Sequence, residues 1–215
     1  MKHPLSRLRL SKLSSFTLVE LLVVIGIIAI LAAVLLTAGT SALRAAQRAK
    51  AQNMAVQIQA AVTSYYTEYS VYPIVGGGAG ADVYYNASDL TDWENLTYAL
   101  CGNINPYSPT TPATTTVTNT RSIAFLSLRK ADVDVNGVPV NPINPYATGV
   151  NQYFNIAMDG NYDGLLGNNG TASGVITNFA LPAMLVLPAI TQGVAVWANC
   201  NTGNGTNNTF YVHTY

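Results

Sequence analysis

Phe16-Thr17-Leu18-Val19-Glu20-Leu21-Leu22-Val23-Val24-Ile25-Gly26-Ile27-Ile28-Ala29-Ile30-Leu31-Ala32-Ala33-Val34-Leu35-Leu36 decides the fold of this chain. The run matches the roughly 20 apolar residues that a helix needs to cross a bilayer core. It holds one charge, Glu20. A carboxylate at membrane depth costs about 2.5 kcal/mol or more even on lenient insertion scales, so a partner and a task are expected for it. Residues 1–15 contain Lys2, Arg7, Arg9 and Lys12, no acid, and end on the small residues Ser14 and Ser15. A short basic segment, small residues and an apolar run read together as a processed leader. In an ordinary secretory signal the cut follows the apolar region. Here the small residues precede it, so cleavage between Ser15 and Phe16 leaves the apolar helix on the mature chain. The alternative is an uncleaved signal anchor with an incidental Glu.

The stretch Ser15-Phe16-Thr17-Leu18-Val19-Glu20-Leu21-Leu22-Val23-Val24-Ile25 resembles the class III signal of type IV pilins and type II secretion pseudopilins. The resemblance implies that a membrane prepilin peptidase cuts before Phe16 and methylates its new amine. Phe16 becomes the mature N-terminus and Glu20 its fifth residue. The chain departs from the family pattern at Ser15, where Gly is usual; a small residue suits the same tight protease subsite. The fold implied is α+β and pilin-like: a long N-terminal α-helix packed on a small antiparallel β-sheet. The divisions expected are a leader (1–15), a transmembrane and filament-core segment (16–36), the amphipathic half of the same helix (37–72) and a globular head (73–215).

The chain has 215 residues and a formal net charge of zero. Loss of residues 1–15 removes four bases, leaving six Lys and Arg against ten Asp and Glu, a net charge of −4. Nucleic-acid binding calls for a basic stripe, so no nucleic-acid partner is indicated. Charged residues make up only 9% of the chain, which argues against charge-driven disorder. About 145 residues follow the long helix, enough for one compact domain with its own core. The two cysteines, Cys101 and Cys200, read either as one disulfide of an exported domain or as two buried thiols. A bond between them would close a loop of about 100 residues and contribute at most about 4 to 5 kcal/mol.

No proline occurs from Thr37 to Tyr69, and Leu43, Met54, Ile58, Ala61, Val62, Tyr65 and Tyr69 recur at helical intervals. This is one apolar face of a period-3.6 helix. A helix from Phe16 to about Tyr69 would be roughly 80 Å long. Gly26 and Gly39 are its weak points, each costing about 1 kcal/mol against Ala. Arg44, Arg48 and Lys50 follow the span, yet the leader bases lie closer to it, and the resemblance keeps the leader in the cytoplasm. The expected location is a bacterial inner membrane, crossed once with the head outside, and then a filament.

Pro73 turns Tyr72 away from helical angles and ends the helix, and the tyrosine-rich end followed by Tyr72-Pro73 is similar to that of pseudopilins. Gly76 to Gly80 reads as a flexible linker. Residues 88–101 predict a short helix capped by Ser88 or Asp92, with Trp93, Leu96 and Leu100 on one face. Residues 105–120 read as an exposed loop, and 74–120 falls where such pilins carry their variable region. Ser122 to Leu128 is a strand or a short helix. Asn141-Pro142-Ile143-Asn144-Pro145-Tyr146 partly resembles the turn before the first sheet strand of the major pseudopilin. Strands are expected at 152–158, 174–179, 193–198 and 210–213; 183–187 stays ambiguous. The strand at 193–198 resembles a family strand ending in Val-Trp.

Asp159-Gly160-Asn161-Tyr162-Asp163-Gly164 fits D-x-N-x-D-G, the first half of a calcium loop. Oxygens of Asp159, Asn161 and Asp163 can converge on one hard cation, with the Leu165 carbonyl as the next ligand. Gly170 stands where the loop's last acid belongs, so a ligand must come from elsewhere, such as 199–208, or from water. The expected affinity is weak, about 0.1 to 1 mM. The competing reading is an Asn/Asp-Gly turn between strands. Related pseudopilins bind calcium in a loop of this sheet. After the leader, His213 is the only histidine and Lys50 and Lys130 the only lysines. No catalytic set can be assembled from them, so no enzyme activity is expected.

The function implied is a structural subunit of a type IV pilus-like or pseudopilus filament. Its partners are copies of itself, other pilins, the prepilin peptidase and inner-membrane assembly machinery. By resemblance, Glu20 pairs with the methylated amine of Phe16 in a neighbouring subunit. The rival reading is a membrane-anchored binding module that never polymerises.

Overall fold

A computed structural model describes residues 16–75, 80–85, 90–104, 117, 119–143, 152–166, 191–199 and 211–214. The chain divides into a unit ending at Leu43 and a second unit beginning at Arg44. The proline-free run forms one helix, α1, spanning Leu18–Tyr69. Its start lies two residues inside the expected one and its end coincides with it. Ser70 stops the helix: it takes a left-handed conformation (φ 57°) while its N–H still reaches the Tyr66 carbonyl at 2.7 Å. Pro73, three residues on, forbids continuation.

In the first unit, the side chains of residues 16–36 are exposed throughout. The segment is long and apolar enough to cross a membrane. In the second unit the helical period takes over. Ala51, Met54, Ala55, Ile58, Ala61, Val62 and Tyr65 are buried, while Gln52, Asn53, Gln57 and Ser64 face outward. That single apolar stripe is what an amphipathic helix buries against a core.

The second helix, α2, spans Leu90–Leu100, and Trp93, Leu96 and Leu100 are buried as its spacing predicts. Ser88 lies outside the described residues. Asp92 sits in the first turn of α2, so it does not cap the helix. The sheet has four antiparallel strands in the order β1 (Val83–Tyr85), β2 (Phe154–Met158), β3 (Val194–Asn199) and β4 (Tyr211–His213). Val83 pairs with Met158, Ile156 with Val196, and Trp197 with His213. Three strands match expectation. β1 was not anticipated: it lies within 74–120, the stretch placed at the variable region, between the Gly76–Gly80 linker and the helix expected at 88–101. The segments expected at 174–179 and 183–187 lie outside the described residues.

Strand alternation sorts the side chains onto two faces. Phe154, Ile156, Met158, Val194 and Val196 join α1 and α2 in one core, while Ala157, Ala195 and Trp197 pack with Leu166 and Tyr84 on the other. Tyr84 and Trp197 stack with centroids 5.6 Å apart and planes within 6°.

Residues 122–128 are a second correction. They form neither a strand nor a helix; only Ala124 makes an isolated bridge, to Cys101. The N–H groups of Phe125 and Leu126 both donate to the Leu100 carbonyl, at 2.8 and 3.0 Å. The segment therefore closes the C-terminal end of α2, whose last carbonyls need outside donors. Asn119 is buried beside it. Its amide donates to the Ala99 and Ile123 carbonyls at 2.7 Å each, and its oxygen accepts from the Tyr69 hydroxyl at 2.6 Å and the Ile123 N–H at 3.1 Å. One side chain thus ties the ends of both helices together.

Candidate functional site

Among the described residues, three places carry chemistry. The first is the start of α1. Phe16 is 74% exposed and precedes the helix, and Ser15 lies outside the described residues. The Thr17 N–H and hydroxyl donate to Glu20 Oε2 at 2.9 and 2.8 Å, and the Glu20 N–H donates to Thr17 Oγ1 at 3.3 Å. This is a reciprocal capping box, which satisfies a helix-start donor at each end. Both donations fall on Oε2, which leaves Oε1 for another donor. The Thr-x-x-Glu spacing carried this signal, but the surrounding apolar run directed the reading of Glu20 toward membrane depth instead.

The second place is the loop after β2. Asp159 directly follows the strand and is buried, while Asp163 is exposed. Asp159 accepts the Gly164 N–H at 2.8 Å and the Asp163 N–H at 3.3 Å. Asn161 Oδ1 accepts the Asp163 N–H at 3.1 Å, and Asp163 Oδ1 accepts the Leu165 N–H at 2.8 Å. The Asn161 amide donates to Asp163 Oδ2 at 3.0 Å. Gly164 takes φ +80°, as the sharp turn requires. Asp159, Asn161, Asp163 and Leu165 are therefore gathered on one turn with hard oxygen donors on three of the side chains. That chemistry suits a cation such as calcium. Among the described residues no three His, Cys, Asp or Glu side chains gather at a metal-binding distance, so further ligands would be amides, carbonyls or water.

Tyrosines clamp this loop to the end of α1. Tyr66 and Tyr72 stack at 4.5 Å, and Tyr72 and Tyr162 at 5.8 Å. Burial, and then the nearby charge of Asp159, push the Tyr72 hydroxyl above its usual range. At Gly193 a Cβ would collide with the Tyr72 hydroxyl, so a larger residue there would displace that side chain.

The third place was not anticipated. Asp132 is buried, and its Oδ1 lies 2.6 Å from Lys50 Nζ of α1. Its Oδ2 accepts the Arg129 Nε–H at 2.7 Å. Burial alone would raise this carboxyl, but the two cations hold it below the usual range. Arg129 lies three residues from Asp132, but Lys50 is too distant in sequence for any local pattern to pair it.

Cys101 is a half-buried free thiol, and burial pushes it up to about 11. Its expected partner, Cys200, lies outside the described residues.

Residues 11–36 match the prokaryotic N-terminal methylation motif. The chain is also similar to the fimbrial protein EcpC of Eikenella corrodens, with 42% identity over 65 residues. That match covers 30% of this chain and 42% of the length of EcpC. No solved structure matches the chain significantly. The motif and the fimbrial relative fit the type IV pilin family.

Proposed function

We infer, from a chain that carries the N-terminal methylation motif at residues 11–36, that it is a structural subunit of a type IV pilus-like or type II secretion pseudopilus filament. A prepilin peptidase cleaves between Ser15 and Phe16 and methylates the new amine. The subunit waits in the inner membrane on residues 16–36 with its head outside the cytoplasm. Assembly machinery then extracts it, and the same segment packs with its copies. Lipid and a bundle of apolar helices are similar surroundings, so the transfer is not prohibitive.

The observation that carries this reading is the placement of Glu20 in the first turn of α1, within its exposed apolar segment up to Leu36. Its Oε1 is open to an incoming amine. A buried carboxylate lacking its charge partner is costly, so pairing with Phe16 of a neighbour favours the correct register over a slipped one. At the other end, Asp159, Asn161, Asp163 and the Leu165 carbonyl would hold calcium, which would neutralise the loop's carboxylates and fasten the turn. The proximity of these oxygens supports that assignment.

The experiment is mass spectrometry of the intact chain from membrane and sheared-filament fractions. A chain beginning at N-methylated Phe16 is the expected result. A chain retaining residues 1–15 would replace the filament reading with a membrane-anchored, non-polymerising binding module.

A further inference from the structure

The unit that begins at Arg44 sorts its charges along α1. Five of the six Lys and Arg residues after residue 15 lie at the start: Arg44, Arg48 and Lys50 on the helix, with Arg129 and Lys130 drawn beside them by Asp132. These bases outnumber the carboxylates nearby, Asp132, Asp134 and Glu94. Lys50 and Arg129 line an open cleft of about 610 Å³ together with Asn53, Gln57 and Ser127. Lys50 is 42% exposed and Arg129 77% exposed, so each keeps donors turned to solvent after binding Asp132. Tyr66 follows Lys50 by 16 positions, about 24 Å along the helix, and there the sign reverses. Arg121, the sixth base, is paired with Glu68. Asp159 and Asp163 have no ion pair among the described residues. Tyr162, Asp163 and Gly164 are exposed on their turn. Tyr162 takes φ 60°, which is costly for a bulky residue. Its stack on Tyr72, and the Tyr72 N–H donated to its hydroxyl at 3.3 Å, hold it there. The turn is therefore set before any partner arrives.

We propose that the Tyr162–Asp163 turn of one copy docks into the Lys50–Arg129 cleft of a second copy. The proposal rests on the reading of the chain as a filament subunit, which brings copies together. An exposed acidic turn and an open basic cleft are complementary in sign and in shape, and complementary charges fix the register of a contact. The Asp163 carboxylate takes the donors that Lys50 and Arg129 turn to solvent. The Tyr162 ring offers its face to the Arg129 guanidinium, which stacks on aromatic rings as well as pairing with carboxylates. Buried Asp132 holds both cations in place beforehand. Each copy contributes two different surfaces, so the contact is heterologous and passes from copy to copy instead of closing a two-fold pair.

Sheared filaments of the full mature chain are treated with a water-soluble carbodiimide, which joins a carboxylate to a lysine in direct contact as an amide, and the cross-linked peptides are identified by mass spectrometry. EDTA keeps calcium from claiming Asp163. After residue 15 the chain has two lysines, Lys50 and Lys130. The Lys50–Asp132 pair, 2.6 Å apart, serves as the internal control. An amide between Asp163 and Lys50 or Lys130 is expected. Within one copy these groups lie about 24 Å apart along α1, so that amide joins two copies. Asp163→Asn should remove it and raise the subunit released from diluted filaments about fivefold, with the thermal melt in EDTA unchanged. Filaments in which both lysines join other carboxylates and never Asp163, or in which Asp163→Asn releases no more subunit than wild type, overturn the proposal. Lysine cross-links to a different protein assign the cleft to that partner and overturn it too. A chain that forms no filaments overturns the subunit reading and the contact with it, whereas intact filaments without the Asp163 amide overturn the contact alone.

Discussion

Lys50 Nζ lies 2.6 Å from Asp132 Oδ1, and this contact joins α1 to the turn Lys130–Asp132 across 82 residues of sequence. Asp132 is 4% exposed and Lys50 42%. Lys50→Met keeps the aliphatic stem and removes the charge. Arg129 remains beside the carboxylate and solvent screens the lost pair, so the cost should be about 1 kcal/mol.

The same pair sets a pH dependence. The Asp132 carboxyl is held below its ordinary value of 3.8. A carboxylate lowered on folding contributes stability that is full above its unfolded pKa and is lost as the pH falls through the folded one. The difference between wild type and Lys50→Met should therefore be constant near neutrality and shrink below about pH 4. Urea melts at pH 7 and pH 3 check this; a gap that persists at pH 3 would mean that the lost stem packing, not charge, sets it.

Asn119 offers a test of a neutral buried group. Removing its amide leaves the Ala99 and Ile123 carbonyls without their donors at the end of α2. Each unsatisfied buried acceptor costs about 1 to 3 kcal/mol. Asn119→Ala should lower stability by about 2 to 4 kcal/mol, and Asn119→Asp should do nearly as much harm, because it cannot donate to either carbonyl at neutral pH. Denaturant midpoints with an unchanged slope would confirm a loss of stability rather than of fold.

Periodic segments were legible and their pairings were not. The stripe from Ala51 to Tyr65 and the triplet Trp93, Leu96, Leu100 announce their helices because many residues repeat one interval. β2 and β3 were legible because each is a mostly apolar segment of strand length. β1 has three residues, Val83-Tyr84-Tyr85, too few for alternation to stand out after a glycine-rich run. The strand exists because β2 offers it an edge, and that is tertiary context. Residues 122–128 failed for the same reason: their apolar side chains suit a strand, but their N–H groups are drawn to Leu100. Of the candidate site, the Asp159 turn was legible because its oxygen-bearing side chains lie within one short stretch of sequence. The Asp132 cluster, built from two elements, was not.

Calcium should stabilise the head if the loop binds it. With a Kd of about 0.1 to 1 mM, about 10 mM calcium contributes roughly 1.4 to 2.7 kcal/mol through mass action. For a chain of this size that raises the melting temperature by about 3 to 11 °C. Magnesium, which demands near-octahedral geometry, should do less. Asp163→Ala removes an exposed ligand and should erase the calcium increment with little change in the metal-free melt. An increment that survives in Asp163→Ala would move the ion elsewhere.

Glu20 has two separable jobs at the start of α1, and two substitutions divide them. Thr17→Val removes the hydroxyl that donates to Oε2 and accepts the Glu20 N–H. It should cost about 1 kcal/mol of helix start while keeping the carboxylate. Glu20→Ala removes the carboxylate as well, and with it any pairing with the amine of a neighbouring Phe16. Both variants should insert into membranes, since each makes the span more apolar or leaves its charge unchanged. Filament yield should fall steeply in Glu20→Ala and only modestly in Thr17→Val, because a weakened cap still presents Oε1. Shearing and quantifying filaments from each strain decides between the jobs. Equal loss in both variants would assign Glu20 to capping alone; normal filaments from Glu20→Ala would remove the charge pair from the assembly mechanism.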